Sequence, residues 1–112
     1  MICLQHISYT SLNDEEKKAL DNIARALRYF AINRSYGYVD RLANVYSISA
    51  LRHVLSEIMR DLHSEYSRGM NVYLPSEKDL EIFLRLAEKD LSLVKIVVAL
   101  ALSYTYPSAR GD

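Results

Sequence analysis

Leu20-Asp21-Asn22-Ile23-Ala24-Arg25-Ala26-Leu27-Arg28-Tyr29-Phe30-Ala31 is the stretch on which the fold class turns. Leu20, Ile23, Ala24, Leu27, Phe30 and Ala31 recur at steps of three and four, which places them on one face of an α-helix. Ahead of them, Asp14, Glu15 and Glu16 suit the positive N-terminal end of a helix. Ser11 and Asn13 are N-cap candidates, and Asn13 with Glu16 has capping-box spacing. The spacing predicts a helix over about residues 14–34.

The same reading extends along the chain. Residues 35–38 break the first helix, and Gly37 suits a position of positive φ just past its end. Residues 39–46 predict a short helix, and Ser47 or Ser49 then caps a longer one. Ile48, Leu51, Leu55, Ile58, Met59, Leu62 and Tyr66 form the stripe of that helix, with Tyr66 packing its ring in the core and its hydroxyl at the surface. Gly69 ends it. Residues 70–74 read as extended, with room to pair with residues 2–7 in a minimal two-stranded β element. Ser76, with Asp79 three residues on, caps a further helix carrying Leu80, Phe83, Leu84 and Ala87. Residues 91–102 are apolar on nearly every side, the pattern of a central helix surrounded by the others. The expected fold is mainly α: one compact bundle of four to six helices over residues 1–106, followed by a flexible tail at 107–112.

Composition agrees. In 112 residues there are only three Gly and two Pro, which favours helices over a turn-rich β fold, and the 50% hydrophobic content is enough for a core. Net charge is zero, so attraction to a polyanion rests on local asymmetry. Residues 14–21 and 77–90 each carry a net of −2, whereas residues 25–52 carry five arginines against the single acid Asp40, a net of +4. Solvated faces laced with salt bridges explain that pattern as well as a basic binding surface does. A membrane span needs about 20 apolar residues. Residues 91–102 are too few and include Lys95, and the N-terminus lacks a secretory pattern, so the expectation is a cytoplasmic protein without a membrane partner.

No motif for catalysis is present, and the chain is expected not to be an enzyme. His6, His53 and His63 lie far apart, and Cys3 is the only cysteine, which gives no metal-ligand spacing. Gly37, Gly69 and Gly111 are isolated and make no phosphate-cradling loop; no cofactor is implied. The carboxylates Glu57, Asp61 and Glu65 read as a solvated helix face. Arg110-Gly111-Asp112 matches an adhesion tripeptide and is read as chance. Arginine and tyrosine remain. Arg25, Arg28, Arg34, Tyr36, Tyr38, Arg41 and Arg52 are the candidate contact residues for nucleic acid or a protein partner. Guanidinium forks match phosphate oxygens, tyrosine faces stack on unpaired bases, and both residue types are also enriched at protein interfaces. For Tyr36 and Tyr38, packing in the core or turn weighs equally.

Tyr36-Gly37-Tyr38-Val39-Asp40-Arg41-Leu42-Ala43-Asn44 resembles a stretch in the small subunit of the archaeal subtype I-A CRISPR interference complex. That resemblance implies a mostly helical, non-catalytic subunit of a crRNA-guided surveillance complex. Such subunits assemble side by side and help to hold the target duplex open or contact nucleic-acid strands. The implied partners are the other subunits of a ribonucleoprotein, RNA or single-stranded DNA bound weakly, and further copies of the chain. Only Arg41 is carried over as a site residue. A homo-oligomeric helical scaffold or adaptor is the alternative. A helix-turn-helix regulator ranks third, because Glu57, Asp61 and Glu65 on its second helix would repel phosphate.

Overall fold

The computed structural model describes residues 9–105, and among them there are five α-helices and no strand. They are α1 (Asp14–Ile32), α2 (Tyr38–Ala43), α3 (Ile48–Ser67), α4 (Glu77–Lys89) and α5 (Leu93–Ser103). Single 3-10 turns at Tyr9–Ser11 and Arg34–Tyr36 lead into α1 and α2. The caps fall at the positions that the sequence marks. Asn13 accepts from the Glu16 amide at 2.8 Å and Glu16 answers at 3.0 Å. Ser76 and Asp79 repeat the reciprocal pair at 3.1 Å in both directions, and Ser47 caps α3 at 3.0 Å. These bonds satisfy amides that helix geometry leaves without partners. Gly37 has φ of 76° and turns the chain from the 3-10 turn into α2, a conformation that side-chain-bearing residues resist.

The central helix is α1, not α5. It buries Ala19, Leu20, Ile23, Ala24, Ala26, Leu27, Phe30 and Ala31 and packs most extensively on α5 and α4. Four alanines in that set let neighbouring helices approach closely on more than one side. By contrast, α5 buries Leu93, Val94, Val97, Val98 and Ala101 on one face only. Lys95 and Ala99 are exposed, and Ile96, Leu100 and Leu102 are half-buried. High hydropathy makes residues 91–102 look central, but hydropathy does not say how many sides have neighbours.

Residues 70–74 form no strand. The Val72 amide donates to the Met70 carbonyl at 3.0 Å, a tight turn that removes a donor a ladder would need. The expected pairing segment, residues 2–7, lies outside the described residues, as do Cys3, His6, the 107–112 tail and its Arg-Gly-Asp. No helix among the described residues is long and apolar enough to cross a membrane.

Candidate functional site

The tyrosine-rich joint folds inward. Phe30 is fully buried and meets Tyr29, Tyr36 and Tyr38 edge-on, with ring centroids at 5.3, 4.8 and 4.8 Å. Tyr36 and Tyr38 stack with each other at 6.0 Å. Residues 33–38 bring these rings back over α1, and the hydroxyls then reach α3. Tyr36 and Tyr29 both donate to Oε2 of Glu65, the latter at 3.1 Å, and Tyr38 donates to Asp61. Arg68 closes the other Glu65 oxygen at 2.8 Å. Glu65 is thus buried, at 4% exposure, yet fully partnered. A buried carboxylate is tolerated only when its lone pairs are satisfied this way.

Electrostatics follow the geometry. The Tyr36 hydroxyl, opposed by burial and helped by Tyr29 and Arg68, holds Glu65 below the usual carboxylate range. The bond to Glu65 pushes Tyr36 up to about 12. Burial, then the bond to Asp61, pushes Tyr38 up to about 12. Arg41 grips Glu57 through two bonds of 3.0 and 2.8 Å, and its guanidinium lies 5.6 Å from the Tyr38 ring centroid. This fork holds Glu57 below its ordinary value.

Glu57, Asp61 and Glu65 are therefore not a solvated face; they are the α3 side of a tyrosine–carboxylate clasp. A signal exists in the sequence: Leu51, Leu55, Ile58 and Leu62 step by four, three and four, and the next step of three lands on Glu65. Tyr66, one residue further, is 59% exposed and does not pack in the core. An acid at that apolar position reads as surface because its partners, Tyr29 and Tyr36, lie 36 and 29 residues away.

The seven candidate contact residues separate into three places. Arg34 pairs with Asp40 at 3.2 Å, and Arg41 with Glu57, both beside the joint. Arg52 reaches across to Glu88 of α4 at 3.3 Å. Tyr38 is buried and Tyr36 half-buried. Arg25 and Arg28 stand apart, on a cleft of about 460 Å³ lined also by Tyr29, Ile32, Asn71, Val72, Tyr73 and Tyr104. There Arg25 Nε donates to Asp21 at 3.0 Å and Arg28 Nε to the Tyr104 carbonyl at 3.1 Å. The Tyr104 hydroxyl also donates to Asp21; burial, then this bond, pushes Tyr104 up to about 12. Asn71, Tyr73 and Tyr104 carry no signal in sequence, since only folding brings the 70–75 segment and the end of α5 to α1.

Among the described residues, no group of three or more His, Cys, Asp or Glu side chains converges as a metal site. Comparison with protein-family models, curated proteins and solved structures finds no match.

Proposed function

We propose that the protein is a non-catalytic small subunit of a crRNA-guided surveillance complex, a cytoplasmic ribonucleoprotein in which it assembles with partner subunits and helps to contact the target-bound nucleic acid. The observation that carries this reading is the Arg25–Arg28 cleft with its partly exposed aromatic and apolar rim. Ile32, Tyr73 and Tyr104 are 55%, 40% and 36% exposed, beside two guanidiniums whose terminal nitrogens make no bond among the described residues. Arginine with tyrosine on a concave surface is recognition chemistry for phosphate and unpaired bases. The helical fold and the 36–44 stretch, here a rigid joint built around Phe30, support the same reading.

The homo-oligomeric scaffold remains the second reading, favoured by one observation: Arg34, Arg41 and Arg52 are all engaged by acids of the same chain. A tagged-chain pull-down with ribonuclease and deoxyribonuclease arms separates the two. Recovery with an RNA-bearing protein assembly supports the surveillance-complex subunit. Recovery only of copies of the chain, unchanged by nuclease and free of nucleic acid, refutes it in favour of the scaffold.

A further inference from the structure

The cleft at Arg25 and Arg28 does not end at its own rim. Tyr73 also lines a second cleft of about 310 Å³, together with Glu15, Lys18, Asn22, Ser76, Lys78, Asp79 and Ile82. Lys18, Asn22, Arg25, Tyr29 and Ile32 follow one another at helical steps of three and four, so both clefts lie along one face of α1. From Lys18 to Ile32 that face runs about 20 Å at the α-helical rise. Tyr73 stands between the two halves, 40% exposed.

The charges along this groove sum to a small positive excess, with Asp21 beside Arg25 as a further acid. Its cations are Lys18, Arg25, Arg28 and Lys78, against the acids Glu15 and Asp79. The acids are already engaged: Glu15 pairs with Lys78 at 2.8 Å, which occupies that lysine too, Asp79 takes the Ser76 amide at 3.1 Å and the Asn22 amide group at 3.2 Å, and Asp21 takes Arg25 Nε at 3.0 Å. Lys18 makes no ion pair among the described residues. The two arginines are tied only through Nε, which fixes each guanidinium while its outer nitrogens stay available. A held guanidinium loses little freedom when it binds an oxyanion.

We propose that this α1 groove is a track for a single-stranded nucleic acid: phosphates seat on Arg25, Arg28 and Lys18, and an unpaired base stacks on Tyr73. The assignment rests on the function proposed above and names the strand form and the residues it uses. Spaced cations alone would suit any polyanion. The partly exposed tyrosine between two cationic stretches is what suits bases, because every base offers a π face and duplex DNA hides it. A peptide partner would need acids at matching intervals, and it is the reading left if the chain binds no strand.

The experiment uses the full chain and a fluorescein-labelled oligothymidylate of roughly 16 nucleotides, with the matching duplex as competitor. At low salt the single strand is expected to bind with Kd on the order of 10⁻⁵ to 10⁻⁴ M, and the duplex less well. Arg25→Gln with Arg28→Gln should lower the slope of log affinity against log salt by about 1.4, at about 0.7 for each phosphate no longer neutralised. Tyr73→Leu, which keeps an apolar side chain, should weaken binding at least about fivefold. An iodouracil-substituted strand should crosslink to the peptide carrying Tyr73. All these side chains are surface-exposed, so the variants are expected to fold, and their circular dichroism is recorded alongside. Arg52→Gln with Arg60→Gln removes the same charge from α3 and should leave slope and affinity near wild type. If the α3 pair loses affinity and the groove variants do not, the groove is refuted while the nucleic-acid role stands. If the chain binds no strand even at low salt, the track is refuted outright. If the pull-down also lacks nucleic acid, the proposed function falls with it.

Discussion

Replacing Phe30 by leucine tests whether the tyrosine joint is held by its rings. Phe30 and Phe83 are both buried to within 1% of full coverage. Phe30 makes three edge-on ring contacts, at 5.3, 4.8 and 4.8 Å, whereas no ring pairs with Phe83 among the described residues. Leucine at either position removes comparable apolar volume, so the two variants share the packing cost. Each aromatic pair is worth about 0.5–1.5 kcal/mol beyond the area it buries. Contacts around one ring are not additive, so the lower part of the three-pair range applies. Phe30→Leu should therefore cost about 1.5–3 kcal/mol more than Phe83→Leu. In urea this is an extra shift of about 1 M in the midpoint at unchanged slope. It should also lower Tm by on the order of 10 °C more. Near-ultraviolet circular dichroism should lose tyrosine signal in the Phe30 variant alone. Equal losses for the two variants would refute the reasoning, leaving Phe30 as apolar filling and the joint held by its hydroxyl bonds.

Acid should loosen the clasp with a definite sign. Glu65 and Glu57 sit below the ordinary value of 4.5 in the folded protein, so their contribution is full above that value and fades as pH falls through the folded pKa. Urea midpoints taken from neutral pH down to about 3 should fall, and Glu65→Gln should start lower and vary less with pH; parallel curves would count against the clasp. Ser76→Ala removes the α4 cap and should cost about 1 kcal/mol by urea midpoint, with no change in slope. Val97→Asp puts an unpaired charge at a fully buried position and should abolish soluble folding. Leu100→Asp, at a half-buried position of the same helix, should remain folded with a reduced Tm; equal behaviour of the two in a solubility and melting assay would show that α5 is covered on all sides after all.

Local chemistry written in the chain is enough for the helices and their ends. Stripes at steps of three and four, the Asn13–Glu16 and Ser76–Asp79 boxes, Ser47 and Gly37 all act within a few residues of themselves, so they can be read without knowing the fold. What lies beyond that reach is decided by tertiary structure. Hydropathy favours α5 as the centre, but the alanines of α1 admit neighbours on more than one side and make it the core. Charge pattern marks Glu65 as solvated, but tyrosines some thirty residues upstream satisfy its oxygens and make its burial tolerable. The arginines look like one patch because they are near in sequence. Arg34, Arg41 and Arg52 are drawn off by acids that folding brings to them, whereas Arg25, held by Asp21 through Nε alone, and Arg28 keep their outer nitrogens beside Tyr73 and Tyr104. A side chain's type sets which partners it can take; the distance to each partner, which decides among them, exists only once the chain has folded.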